Sequence, residues 1–189
     1  DHMVYALDCA SSEYYDAEKG LYRWRGDYVD RDFIIDQLAA ISRKYPLAFV
    51  EDALQEEDFE GFKLASERIN TVIVGDDFIC TSLDRAEKAV SMGAARGMIF
   101  KPNQAGTLTE ALRTAKFMMD RGLLVIPSGR AGGTLDSPEK EIAVALGAWV
   151  TKTGAPRSGS RTNGFNFLLR TSEELGVPQT DVMQLEIFK

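Results

Sequence analysis

The sequence predicts an α/β protein in which parallel strands alternate with helices. Six short apolar runs recur along the chain, and an amphipathic stretch follows each of them. The runs are rich in branched and aromatic residues without strict polar alternation, which is typical of strands buried on both faces. A length of 189 residues fits one domain. We therefore expect one parallel sheet with helices outside it.

The predicted strands are separated by segments long enough to hold a crossover helix. They are Val4–Leu7, Leu47–Val50, Thr71–Val74, Gly97–Phe100, Leu123–Ile126 and Trp149–Thr151. Aromatic residues cluster between residues 14 and 28, within the first crossover. We expect a packed surface insertion there, with a substrate lid as the alternative.

Sequence signals also mark the ends of several helices. Apolar residues from Phe33 to Ile41 recur at helical spacing. The segment Thr107–Glu110 is a capping box, and Ser137-Pro138-Glu139 joins an N-cap to a proline in the first turn. A last helix is expected from about Arg161 to Leu175. The expected helix ends are at Gly93, Gly122 and Gly176.

We predict one domain over residues 4–176 and a short tail over residues 177–189. The opening tripeptide Asp1-His2-Met3 is typical of a cloning remnant, and His2 is the only histidine. This count excludes a Ser–His or Cys–His nucleophile and a zinc site built on imidazole. Acid–base chemistry must therefore use carboxylates, lysines or tyrosines, and a metal must be a hard cation held by oxygen.

The amino-acid composition limits which binding partners and which cellular compartment we expect. Acidic residues outnumber basic ones by 29 to 22, for a net charge of −7, so nucleic acid is not an expected partner. We see no apolar run of about 18–20 residues that would span a membrane, and no signal peptide. Cys9 and Cys80 do not form a disulfide framework, so we expect a cytoplasmic protein.

A charged residue follows each predicted strand. In chain order these residues are Asp8, Glu51, Asp76, Lys101, Arg130 and Lys152. Because the C-terminal ends of parallel strands lie on the same side of a sheet, we expect these side chains to meet at one mouth. Three neighbouring carboxylates repel one another, and Mg²⁺ would relieve this repulsion.

The cations have their own expected roles. An ammonium near a divalent cation is destabilised, so the pKa of Lys101 or Lys152 should fall and allow it to act as a base. Arg130 offers a planar fork suited to phosphate or carboxylate. A single acid after a strand is commonly a helix cap or a solvated loop residue. We interpret Asp52 and Asp77 as capping groups or as residues that support the ligands, and not as ligands. Three acids followed by three cations favour a site.

Several strings resemble the C-terminal barrel of enolase, the glycolytic 2-phosphoglycerate dehydratase. The resemblance runs from about Val4 to Gly176, and the combination of strings is highly specific. The strings are Leu7–Tyr15, Val50–Asp52, Glu60–Phe62, Val74–Asp77, Lys101–Thr107, Lys152–Pro156, Leu168–Arg170 and Glu173–Gly176. The resemblance implies six βα units of an enolase-type TIM barrel that lacks the first two strands.

The resemblance also implies a role for each residue of the mouth. Asp8, Glu51 and Asp76 correspond to the Mg²⁺ ligands. Lys101 corresponds to the base that removes the proton beside the substrate carboxylate, and Lys152 to the lysine that contacts that carboxylate. Arg130 corresponds to the phosphate-binding arginine, and Ser128 lies beside it among the implied substrate-binding residues. The implied reaction is Mg²⁺-dependent dehydration of 2-phosphoglycerate to phosphoenolpyruvate, in which fixed cations stabilise the charge built by proton loss.

The chain departs from the family pattern after the fifth predicted strand. Enolases carry Ser-His-Arg-Ser-Gly-Glu there, whereas residues 128–133 read Ser-Gly-Arg-Ala-Gly-Gly. Gly129 stands in place of the active-site histidine, Ala131 in place of a phosphate-contacting serine, and Gly133 in place of an acid. The family's general-acid segment is also absent from this sequence.

Three functions stay open from the sequence. The chain is an enolase-like lyase, a non-catalytic metal-binding scaffold or fragment, or an enzyme that abstracts a proton from a different carboxylate substrate. A barrel without its first two strands has free edges that favour association. We therefore also expect self-association or a complementary chain that completes the barrel.

Overall fold

A computed structural model describes residues 3–135 and 138–177. The strands are β1 (Tyr5–Asp8), β2 (Tyr15–Asp16), β3 (Leu21–Trp24), β4 (Asp27–Val29), β5 (Leu47–Glu51), β6 (Val72–Gly75), β7 (Gly97–Phe100) and β8 (Leu124–Pro127). The helices are α1 (Arg31–Lys44), α2 (Phe59–Arg68), α3 (Leu83–Ser91), α4 (Pro102–Ala105), α5 (Leu108–Met119), α6 (Glu139–Ala145) and α7 (Gly159–Leu175). Among the described residues, five strands form one parallel sheet in the order β1-β5-β6-β7-β8. The predicted α/β class is confirmed.

The sixth predicted strand is reduced to a single point of pairing. Instead of a strand over Trp149–Thr151, the structure has an isolated parallel bridge between Ser128 and Lys152. The Lys152 N–H donates to the Pro127 carbonyl at 2.9 Å, and the Gly129 N–H donates to the Lys152 carbonyl at 3.1 Å. Two hydrogen bonds are therefore enough to place Lys152 beside β8.

The aromatic segment after β1 is a packed insertion. Strands β2, β3 and β4 form an antiparallel three-stranded sheet. Arg25 and Gly26, both with positive φ, form the two-residue turn between β3 and β4. Tyr22 is 2% exposed, and its hydroxyl accepts the Gln55 N–H at 3.0 Å. This contact attaches the insertion to the loop after β5.

Helix boundaries follow the sequence signals where the chain is described. The Thr107 hydroxyl accepts the Glu110 N–H and donates to the Glu110 carboxylate, which confirms the capping box of α5. Gly122 follows the end of α5, and Gly176 caps α7, both in the left-handed region. The N-cap predicted at Ser137, the opening residues 1–2 and tail residues 178–189 lie outside the described residues.

Strands β5 to β8 are buried on both faces, as predicted, whereas the edge strand β1 is largely exposed. Towards the helices, Ile73, Met98 and Val125 join the larger core cluster. Towards the helix-free face, the alternate residues form a second cluster made of strand residues. Its buried members are Ala48, Phe49, Val72, Val74, Ile99, Leu124 and Ile126. This alternation, which follows from the two-residue period of a strand, decides which side chains extend into the mouth.

The helix-facing core contains a pair of stacked aromatic rings. Phe62 on α2 and Phe78 in the loop after β6 are both 0% exposed, with ring centroids 3.7 Å apart. Phe62→Ala should therefore lower the free energy of unfolding by about 3–5 kcal/mol. Phe165→Ala, at a 39% exposed position of α7, is the control and should change it by less than about 1 kcal/mol. Equal losses in urea denaturation would contradict this account of the core.

Candidate functional site

The polar residues of the mouth share one geometric origin. Each lies two positions beyond a hydrophobic residue of the helix-free face, so the period of the strand turns it to the same side. The pairs are Phe49 and Glu51, Val74 and Asp76, Ile99 and Lys101, Ile126 and Ser128, and Val150 and Lys152. Asp8 ends β1 and is paired in register with Glu51. The parallel sheet thus gathers these residues at its carboxyl end.

Lys152 joins two of the predicted carboxylates. Its Nζ lies 2.7 Å from both carboxylate oxygens of Glu51 and 3.0 Å from Oδ2 of Asp8. Glu51 is completely buried, whereas the Asp8 side chain is 49% exposed. Lys152 therefore supplies the positive charge that a buried carboxylate requires.

The third carboxylate pairs with the other lysine. Lys101 Nζ donates to Oδ2 of Asp76, and both side chains are largely buried. Within the described part of the chain, Oδ1 of Asp76 is buried without a hydrogen-bond partner. Such an oxygen is costly unless a further group reaches it. The site thus holds an acceptor aimed at a ligand that the protein itself does not supply.

The electrostatics of Glu51 and Lys152 follow from their burial. Burial, with repulsion from Asp8 and Asp76, raises the pKa of Glu51 to about 8, while Lys152 acts in the opposite direction. Burial also acts to lower the pKa of Lys152, but the hydrogen bonds that Lys152 donates to Glu51 and Asp8, with the attraction of these carboxylates, outweigh it and raise that pKa. This differs from the lowering expected near a metal, because the carboxylates are the charges that Lys152 contacts.

Asp52 organises the loop that carries Asp76. Its backbone has a positive φ of 44°, and its carboxylate accepts the N–H groups of Asp76 and Asp77, each at 2.8 Å. Burial raises the pKa of Asp52 to about 6, while these backbone hydrogen bonds act to lower it. Since both of its oxygens already accept backbone hydrogens, Asp52 acts as a loop anchor, in line with the supporting role expected from the sequence.

Ser128 and Arg130 lie at the other side of the mouth. Ser128 is buried and forms the bridge to Lys152. Arg130 is exposed, and its guanidinium makes no ion pair with another site residue in the ranges described. The structure therefore groups Asp8, Glu51 and Lys152 in direct contact but leaves the Arg130 side chain apart from them.

Sequence reasoning missed Arg161, near the start of α7. Its guanidinium donates to the carbonyl of Thr153 at 2.8 Å and to that of Arg130 at 3.3 Å. A Cβ at Gly129 would lie 3.0 Å from Arg161 Nη1 and 3.1 Å from Glu139 Oε1. Arg161 and Glu139 thus occupy the space beside Gly129, and a side chain at position 129 would need to displace them. Only the three-dimensional contact reveals this, because Arg161 is distant in sequence from Gly129.

The donor set fits a hard divalent cation. Three carboxylates outnumber the two ammonium groups bound to them, and one oxygen of Asp76 lacks a partner. A second set of oxygens, from Asp52, Asp76 and Asp77, lies within 4.8 Å of one another. All of these donors are carboxylate oxygens, the ligands that Mg²⁺ takes in proteins. Asp76 belongs to both sets.

Comparison with known proteins identifies relatives over nearly the whole chain. Residues 1–181 match the family model "Enolase, C-terminal TIM barrel domain". The chain is 42% identical over 178 residues to the enolase of Methanococcus maripaludis strain C7, covering 94% of this chain and 42% of that protein. It is 44% identical over 175 residues to the enolase of Methanopyrus kandleri, covering 92% of this chain and 41% of that protein. The chain thus spans about two fifths of the length of these curated relatives.

The raised pKa of Glu51 predicts a pH dependence of stability. Its carboxyl holds a proton more tightly in the folded protein, at about pH 8 against a usual value of 4.5. The stability that this tighter proton binding contributes is therefore complete below the pKa of the unfolded state. It is lost as the pH rises through the pKa of the folded state. Without divalent cations, the free energy of unfolding should fall by about 1–2 kcal/mol from pH 6 to 8, which lowers Tm by about 2–8 °C.

Glu51→Gln should flatten this slope, because the amide does not titrate in that range. Glu60→Gln, at an exposed position of α2, is the matched control and should keep the slope. Thermal melts in buffers containing a chelator make the measurement. An unchanged slope in Glu51→Gln would show that another group is responsible.

Proposed function

Because the chain belongs to the enolase family, we propose that its strand-end cluster carries out Mg²⁺-dependent dehydration of 2-phosphoglycerate to phosphoenolpyruvate. The observation that carries the proposal is the pairing of three carboxylates with two partly buried lysines at the carboxyl end of one sheet. Bound at Asp8, Glu51 and Asp76, Mg²⁺ would supply the positive charge that stabilises the substrate anion after proton loss.

Lys101 takes up the substrate proton in this proposal and later returns it to solvent. The hydroxide leaves as water after taking a proton from solvent or from an acid of the complementary chain, because this sequence lacks the family's general-acid segment. Lys101 removes the proton beside the substrate carboxylate, and its contact with Asp76 holds Nζ in the mouth. Lys152, held by Glu51 and Asp8, contacts the substrate carboxylate as an ammonium. Arg130 is exposed beside Ser128 and takes the phosphate through its planar guanidinium.

Gly129 favours a second candidate function. Gly129 has only a hydrogen atom where the family has a histidine side chain, and Arg161 and Glu139 fill the nearby space. The same lysines and carboxylates would then abstract a proton from a carboxylate substrate of another shape. A non-catalytic metal-binding scaffold is the third candidate, which keeps the carboxylates and makes no use of Lys101.

We further propose that the open edge of the sheet binds a second copy or a complementary chain. In the described residues β1 pairs on one side only, with β5, and Tyr5 on it is 58% exposed. A cleft of about 410 Å³ between the insertion and α1 is lined mainly by apolar groups, including Trp24 and Leu38. A strand with one unpaired edge, next to apolar surface, favours association.

We place the protein in the cytoplasm. Cys9 and Cys80 are free thiols, as expected in a reducing compartment. Burial, reinforced by Asp8, Asp52 and Glu51, raises the pKa of Cys9 to about 12, so this thiol stays protonated. None of the helices in the described ranges has the length and apolar character needed to cross a bilayer.

The lyase proposal predicts Mg²⁺-dependent formation of phosphoenolpyruvate from 2-phosphoglycerate, followed by absorbance. Lys101→Ala should lower kcat by about 10²–10⁴-fold, because it removes the base. Lys63→Ala, at an exposed position of α2, is the matched control and should keep the parent rate. Equal activity in all three preparations would identify a contaminating host enzyme and contradict the proposal.

The proposed ligand set predicts which variants lose Mg²⁺ affinity in calorimetric titration. Asp8→Asn and Glu51→Gln should each weaken binding by at least about tenfold, because each removes a negatively charged ligand. Asp77→Asn should stay within about threefold of the parent if Asp77 is not a ligand. A greater loss in Asp77→Asn than in Asp8→Asn would assign the cation to the alternative set around Asp52.

The edge proposal predicts a mass above 20.9 kDa in solution. Light scattering coupled to size exclusion should give at least a dimer at high concentration. Tyr5→Lys places a charge on the edge strand and should shift the population towards monomer. A monomer for the parent throughout the concentration range would leave the complementary chain as the remaining occupant.

A further inference from the structure

Thr81 holds an unfavourable backbone conformation in the loop between β6 and α3. It is completely buried and has a φ of 49°, directly after Cys80 with a φ of 55°. Left-handed backbone is rare for a β-branched residue, because its Cβ substituents crowd the following carbonyl. Glycine would adopt this conformation without that crowding. Strain of this kind persists where the surrounding structure holds it, often at functional sites.

The side chain of Thr81 makes contacts that glycine lacks. Its hydroxyl accepts the backbone N–H of Lys101 at 3.0 Å and lies 3.0 Å from Oε1 of Gln104, to which it donates. Its backbone carbonyl accepts the Thr114 hydroxyl at 3.2 Å. One buried hydroxyl therefore joins the loop after β6 to the first residue after β7.

These two segments carry the two partners of one ion pair. Asp76 begins the loop that contains Thr81, and Lys101 is the residue whose N–H the Thr81 hydroxyl accepts. Asp76 and Lys101 pair through their side chains. The Thr81 hydroxyl thus forms a second link between these two segments. It restrains the backbone of Lys101, from which the Lys101 side chain extends.

We propose that Thr81 is a positioning residue that fixes Lys101 relative to Asp76 through the Lys101 backbone. Asp52 restrains the start of the same loop, so that Thr81 and Asp52 hold its two ends. The hydroxyl, and not the bulk of the side chain, does this work. The kinetic part of the proposal rests on the proposed lyase function, whereas the structural part does not.

The structural part is tested by amide hydrogen exchange at Lys101, measured by NMR on the full chain. Thr81→Val keeps the shape and removes the hydroxyl, so exchange at the Lys101 N–H should accelerate about fivefold to tenfold, as expected for one lost hydrogen bond. Thr81→Ser keeps the hydroxyl and should stay within about twofold of the parent. Thr81→Gly removes both hydroxyl and strain, and it should still accelerate exchange while folding without the crowding.

Thr71→Val is the matched control. Its hydroxyl donates to the Leu47 carbonyl at 2.8 Å, at the opposite end of the sheet. It should leave exchange at Lys101 unchanged relative to Met98 in β7. Equal acceleration in Thr71→Val and Thr81→Val would mean general destabilisation and would overturn the proposal. Parent-like exchange in Thr81→Val would overturn it as well.

The kinetic part is tested on the same variants. Thr81→Val should lower kcat about tenfold with little change in KM, because Lys101 acts only after the substrate is bound, and Thr81→Ser should restore kcat. Loss of kcat in Thr81→Val without rescue by Thr81→Ser would overturn this part. If no variant or parent has lyase activity but exchange at Lys101 responds as expected, the proposed function fails and the positioning role stands.

Discussion

The structure depends on one constraint, which is that every strand of the parallel sheet ends on the same side. The two-residue period of each strand then turns one polar residue per unit towards the helix-free face. This geometry brings like charges together, and Glu51 among them has no exposed surface. Burial of that carboxyl group is tolerable because Lys152, from the far end of the chain, contacts both of its oxygens. Fold and site are therefore coupled. The contacts of Lys152 with Asp8 and Glu51 join the bridge beside β8 to strands β1 and β5, and they also form the centre of the candidate site.

Two anchors make the loop of Asp76 rigid in this account. Asp52 binds backbone N–H groups at its start, and Thr81 reaches the neighbouring strand from its end. Both residues have positive φ, and neither is glycine. Among the described residues, three of the five non-glycine positions with positive φ, Asp52, Cys80 and Thr81, lie in the segments that position Asp76 and Lys101. The loop that carries Asp76, with its unpartnered Oδ1, is therefore held at both ends.

Much of the fold was predictable because its determinants are local. Buried strands appear as apolar runs, and the Thr107 capping box needs only four consecutive residues. The prediction of a strand over Trp149–Thr151 was wrong, because Trp149 is 51% exposed and only Lys152 pairs with the neighbouring segment. Strands β2 to β4 were not resolved from the sequence because they are short and carry aromatic residues on a partly exposed surface.

The candidate site also combines residues that could be predicted from the sequence with contacts that could not. The charged residues after the strands could be found from the sequence, because topology alone brings strand ends together. The contacts of Arg161 with Thr153 and Arg130, and of Thr81 with Lys101, could not be found in this way. They depend on side-chain directions and loop paths across distant segments, and no local pattern encodes them. Comparison with relatives identifies the family, whereas only the structure reveals these contacts.

The central claim is that the carboxyl ends of β1, β5 and β6 form one cation site. The most direct test is paramagnetic broadening of backbone NMR signals by substoichiometric Mn²⁺, which binds oxygen ligands as Mg²⁺ does. The account predicts selective broadening at Asp8, Glu51 and Asp76, its reversal by excess Mg²⁺, and sharp signals at Leu47 and Thr71 at the opposite end of the sheet. Broadening spread over the acidic surface, or centred away from these strand ends, would contradict it.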